Sequence, residues 1–130
     1  MTNYTHRNLK DDVEDSAERF GLAPDVEARF GRKALETEGG GFSYQRLAPN
    51  FEQPFGHQHE KHEEVYVVVA GSGRVKLDGE VRELKQWDAL RVAPQVKRGF
   101  AGGPDGIELI VIGFGEGGDG ETFQGYWDES

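Results

Sequence analysis

With 130 residues the chain is long enough for one domain with a core of its own and too short for two. Its net charge of −9 excludes a general phosphate-tracking surface for nucleic acid and disfavours anionic membranes. There is no cysteine, so disulfides and thiolate ligands are excluded, and any metal must be held by histidine, carboxylate or backbone oxygen.

The opening segment is mostly polar. Val13, Ala17 and Phe20 fall at helical spacing, enough for a turn or two that Gly21 and Pro24 end. It reads as an arm packed on the domain or on a neighbouring subunit. It lacks the apolar core of a signal peptide, and no run approaches 18 apolar residues, so a soluble, cytoplasmic protein is expected. Val26, Ala28 and Phe30 alternate, which predicts a strand. Residues 1–41 are therefore read as an arm plus a first strand.

From residue 42 to 114 short runs are bounded by Gly, Pro, Asn or Asp, the rhythm of an all-β domain. FSYQRL ends at Ala48-Pro49-Asn50. EVYVVV ends at Gly71-Ser72-Gly73, read as a turn, since no helix follows to make it a phosphate loop. RVKL ends at Asp78-Gly79, a dipeptide suited to a type I′ hairpin. EVREL follows, then ALRVA between the turn former Asp88 and Pro94, and then IELIVIGF. Such spacing predicts a sandwich or small barrel. The Gly-rich acidic tail, residues 115–130, carries Phe123, Tyr126 and Trp127, rings expected to dock rather than stand in water.

Three of the four histidines fall in GHQHEKHEE, residues 56–64. Two apart on a strand, His57 and His59 project to one face. If the next residues make a tight turn, Glu63 or Glu64 comes opposite them. The result is a 2-His-1-carboxylate set, an arrangement that suits a divalent transition metal with open positions. Alternation leaves the choice open: Glu64 travels with Tyr66 and Val68, Glu63 with Val65 and Val67. The competing reading is a polar pocket whose groups hydrogen-bond one another without an ion. His6 lies far away in the arm.

The segment HQHEKHEEVYVVVAG resembles the first motif of the cupins, small jelly-roll β-barrels. In that motif two histidines one residue apart are followed by a glutamate three or four residues on and a glycine after six more. His57, His59, Glu64 and Gly71 fit this spacing, and the resemblance favours Glu64 over Glu63. In the family's second motif a Gly-Asp turn leads to a proline and then to a histidine that completes the metal site. QWDALRVAPQVKRGF supplies Asp88, Pro94 and Phe100 in matching places. The resemblance spans residues 42–114 and implies a single cupin-like jelly-roll β-barrel, with the arm and the tail outside it. Three positions depart from the pattern. Phe51 stands where a glycine is expected, beside Asn50, which tolerates a left-handed turn. Trp87 replaces the glycine of the Gly-Asp turn. Arg98 occupies the place of the fourth ligand, and a guanidinium cannot ligate a metal.

The resemblance implies a divalent transition metal (Zn, Mn, Fe or Ni) held by His57, His59 and Glu64. His62, two residues before Glu64, is a candidate substitute ligand. Arg98 would meet the carboxylate or phosphate of a small polar or anionic ligand, and Tyr66, on the face of Glu64, would line the pocket. Phe100 is expected to pack in the barrel. Cupins include dioxygenases, decarboxylases, isomerases and epimerases as well as non-catalytic binding and storage proteins, so fold does not choose a reaction. The alternative is a metal-free binding or sensing module. Cupin barrels commonly pair through their sheets, and the arm and tail carry apolar anchors. A homodimer with a terminal segment across its interface is therefore expected.

Overall fold

The alternation at Val26, Ala28 and Phe30 becomes strand β1 (Val26–Phe30) of a computed structural model that describes residues 3–115 and 118–129. A one-turn helix, α1 (Arg32–Leu35), leads into β2 (Gly40–Leu47), which runs antiparallel to β1. There follow β3 (Phe55–Gln58), β4 (Glu64–Leu77), β5 (Glu80–Leu84), β6 (Ala89–Val92), β7 (Arg98–Phe114) and β8 (Glu121–Gln124). The chain is all-β and jelly-roll-like. Among the described residues no helix is long and apolar enough to cross a membrane.

Two long strands tie the barrel together. The first half of β4 lies between β6 and the second half of β7, which continues to β2 and β1. The second half of β4 lies between β5 and the first half of β7, which continues to β3 and β8. β4 bends from one sheet to the other at Val68–Gly73, where its register with β7 shifts twice. Gly71-Ser72-Gly73 is thus a bulge inside one strand and not the turn expected. Gly71 takes a φ of 73°, and a Cβ there would stand 2.1 Å from the Gly106 carbonyl oxygen. Glycine allows the close backbone approach, and the ladder then resumes.

Other turns follow their chemistry. Asp78 and Gly79 both have positive φ, as a type I′ hairpin between β4 and β5 requires. Asn50 is left-handed beside Phe51. Trp87 is also left-handed, at φ 74°, with its indole in solvent. Inward-facing Leu47, Val68, Val75, Val92, Phe100, Ile107 and Leu109 form the core.

Both terminal segments pack on their own barrel. In the arm the turn or two expected is a single 3-10 turn, Glu18–Phe20. Val13 and Ala17 are buried, and the Ser16 N–H donates to the Ala28 carbonyl at 2.8 Å. The carboxylate of Glu27 on β1 gathers Lys10 of the arm at 2.8 Å, Arg29 at 2.6 Å and Arg46 of β2 at 3.3 Å. In the tail β8 pairs with β3, and the Tyr126 ring lies on Gly56 and Gly99, whose lack of side chains makes the room. Lys76 is buried beneath it, its Nζ donating to the carbonyls of Tyr126 at 2.7 Å and Glu129 at 2.6 Å. Phe123 and Trp127 are part-buried under Lys97 and Arg74.

Candidate metal centre

The site forms where the two sheets meet. His57 comes from β3, and directly across the ladder from it is Arg98, the first residue of β7. His59 lies just past the end of β3, its N–H donating to the Pro94 carbonyl at 2.7 Å. Glu64 opens β4, opposite Val92 of β6 and Gly113 of β7. That register turns Glu64 and Tyr66 inward. Glu63 lies outside and reaches Arg91 at 3.5 Å on the surface.

Glu64 Oε1 is the hub. It lies 3.4 Å from His57 Nε2 and 3.3 Å from His59 Nε2, and the two imidazoles stand edge to face with centroids 5.3 Å apart. The Tyr66 hydroxyl donates a short hydrogen bond to the same oxygen, while its ring packs on Phe100 at 4.6 Å. Tyr66 is thus both a core aromatic and a site hydroxyl. Burial pushes the Glu64 carboxyl up, but hydrogen bonds from His57 and Tyr66 and the charges of both imidazoles outweigh it and hold it at about 2. Burial, with the Glu64 charge beside it, pushes the Tyr66 phenol well above its usual value.

Three donor atoms of this trio therefore point at one another and suit an ion. Ligands about 2.0–2.1 Å from a tetrahedral ion stand roughly 3.3–3.4 Å apart, as the carboxylate oxygen and each imidazole nitrogen do here. His59 Nε2 is buried and makes no hydrogen bond while facing Glu64 Oε1, an orphaned polar atom that a ligated ion would satisfy. His62 does not join this trio: its Nδ1 is turned to Asp119 Oδ1, 2.8 Å away. Asp119 also lies 2.9 Å from His59 Nδ1. Burial raises the Asp119 carboxyl, and hydrogen bonds from His62, the Lys61 N–H and His59 more than reverse this, leaving it well below the usual range.

Arg98 is fully buried. One nitrogen, Nη2, donates to the Ala93 carbonyl at 2.7 Å; Nη1 stands 3.8 Å from Glu64 Oε1, and neither Nη1 nor Nε has a hydrogen-bond partner. The place of the expected fourth ligand thus holds a cation beside the carboxylate. A cavity of about 500 Å³ opens alongside, lined by Gln58, His59, Glu60, Gln95, Asp119 and Glu121.

The family model for the cupin domain matches residues 43–113, the stretch that holds every residue of the trio and Arg98. The chain is a cupin. A cupin protein from Bacteroides fragilis is 28% identical, with a TM-score of 0.73 over 90% of this chain and 88% of that one. KdgF from a Halomonas species is 22% identical, with a TM-score of 0.65 over 88% and 96% of the two chains. Oxalate decarboxylase from Bacillus subtilis is 18% identical, with a TM-score of 0.73; the match covers 95% of this cupin and 33% of that longer chain. No curated protein matches.

Asp119 is the site residue that sequence reasoning missed. Its one signal was position: a lone aspartate among tail glycines, followed by rings that had to dock.

Proposed function

We propose that this cupin holds a divalent transition metal through His57, His59 and Glu64 and binds a small polar or anionic molecule beside it. The observation that carries the reading is the buried, unpartnered Nε2 of His59 facing Glu64 Oε1 in a trio with the spacing of metal ligands. The ion would supply Lewis acidity toward an oxygen of the bound molecule. Arg98 is fully buried behind Glu64, and its Nε and Nη1, which make no hydrogen bond, would meet a carboxylate or phosphate that reaches past that carboxylate. Tyr66 keeps its proton and orients Glu64 through the hydrogen bond to Oε1.

A metal-free binding module is the second reading, and Arg98 is what favours it. With its Nη1 3.8 Å from Glu64 Oε1, the guanidinium competes with a dication for the carboxylate. Metal analysis of untagged protein separates the two. Near-stoichiometric metal that is lost in His57→Ala and His59→Ala, with the barrel still folded, supports the metal reading. Absence of metal, with anionic ligands still bound, supports the module.

A homodimer belongs to the same proposal. Phe42, Val65, Val67, Ile112 and Phe114 share the outer face formed by β2, β7 and β4, and Ile112 and Phe114 are 37% and 46% exposed. A contiguous apolar face of this kind suits a second copy of the chain. A monomer by light scattering at tens of micromolar rules it out.

A further inference from the structure

The trio is reached by a residue of the tail. Asp119 precedes β8, whose pairing with β3 carries it to the mouth of the site. Its Oδ2 accepts the backbone N–H of Lys61 at 2.8 Å and of Glu60 at 3.1 Å. Its Oδ1 lies 2.9 Å from His59 Nδ1 and 2.8 Å from His62 Nδ1.

A carboxylate between two imidazoles has two explanations. His59, His62 and Asp119 hold a second ion, or both rings donate hydrogen bonds. Two observations favour hydrogen bonds. The contacts of 2.8 and 2.9 Å are N–H···O lengths, shorter than the 3.3 and 3.4 Å of the first trio. A neutral imidazole also has one lone pair, so His59 could serve two ions only after losing its second proton. A hydrogen bond to Asp119 puts a proton on Nδ1, and the neutral ring that meets an ion then has its lone pair on Nε2, the buried atom that faces Glu64.

We propose that Asp119 is a positioning residue of the metal centre, holding His59 as the Nδ1–H tautomer so that Nε2 is presented to the ion. The inference rests on the metal reading of the trio. It assigns His62 a different task from ligation: the ring anchors the carboxylate from its other side. Outer hydrogen-bond partners of this kind fix the orientation and raise the basicity of a ligating imidazole. Because Asp119 arrives with β8, tail docking and ion affinity are linked, and each strengthens the other.

The test compares wild type, Asp119→Ala and Asp119→Asn. Ring-nitrogen NMR of the metal-free proteins reads the His59 tautomer, and Co2+ titration followed by visible absorption reads affinity. Hydrogen exchange of the β8 amides reports whether the tail stays docked. Wild-type His59 should carry its proton on Nδ1. Asp119→Ala should lose that preference and bind Co2+ about 10- to 100-fold more weakly. Asp119→Asn keeps a carbonyl acceptor and should recover the tautomer and most of the affinity. If the alanine variant undocks β8, the asparagine variant decides, provided its tail is docked. Wild-type His59 protonated on Nε2, or unchanged affinity in a docked Asp119→Ala, overturns the proposal. Wild type that takes up no Co2+ refutes the metal reading instead. The tautomer then decides for Asp119 alone: lost in alanine and regained in asparagine supports its positioning role, and no change overturns it.

Discussion

Replacing Glu27 with glutamine removes a buried anion that ties the arm to the barrel. Glu27 is buried on β1 amid Lys10, Arg29 and Arg46. Burial raises its carboxyl, but the three cations outweigh it and hold it at about 2, against about 4.5 when unperturbed. A gap of about 2.5 units at ~1.36 kcal/mol each is roughly 3 kcal/mol. Lys10 is half exposed and Arg46 a third exposed, so solvent screening brings the expectation to about 2 kcal/mol. A depressed pKa stabilises the fold above the unfolded value, and the contribution is lost as pH falls from about 5 through about 2. Urea unfolding of wild type and Glu27→Gln at pH 7, 4 and 2.5 measures this. The variant should be less stable by about 2 kcal/mol at pH 7, with the difference shrinking at each lower pH. A difference that stays constant with pH, or one below about 0.5 kcal/mol at pH 7, refutes the reasoning.

Three further outcomes follow from the geometry. Trp87→Gly should raise stability by about 1 kcal/mol, seen as a higher Tm, because it relieves a left-handed residue whose indole lies in solvent. Gly56→Ala should cost about 1–3 kcal/mol in thermal unfolding and speed hydrogen exchange in β8, since the new Cβ would stand 2.5 Å from Tyr126 Cδ2. Arg98→His exchanges a cation beside Glu64 for an imidazole opposite His57. By calorimetry it should bind Zn2+ on the order of tenfold tighter and small carboxylates more weakly, since a like charge is lost and a ligand gained. Neither change would mean that Arg98 takes no part in the site.

Local chemistry made much of this fold legible. Asp78-Gly79 specifies its hairpin because only a narrow set of residues tolerates two positive φ angles. The spacing of His57 and His59 survives translation into structure because two residues apart means one face, whatever the sheet does next. Glycine was less informative. The same Gly-Ser-Gly marks a turn or a bulge, and the distinction lies in what the backbone meets, here the Gly106 carbonyl. Gly102, Gly103 and Pro104 likewise hid that β7 is one strand starting at Arg98. The choice between Glu63 and Glu64 was a matter of register, which alternation cannot fix without the partner strand. Asp119 was hidden most completely: a carboxylate 60 residues from His59 becomes its neighbour only once β8 is in place.

The buried ammonium of Lys76 ties the outer face of β4 to the last stretch of chain to be made. Its two acceptors, the carbonyls of Tyr126 and Glu129, lie 50 and 53 residues downstream. While a ribosome works through that interval, β4 and β5 can pair, but the lysine has no carbonyls to fill its shell and must stay in water. Lys76 alternates with the core residue Val75 and so faces outward; until the tail arrives the ammonium stays hydrated, and the tail must bring the carbonyls that replace that water. The tail then acts as the last stave. It covers Lys76, seats Tyr126 on Gly56 and Gly99, and delivers Asp119 to His59. Covering of this outer face and assembly of the histidine site are completed by the same late stretch of chain.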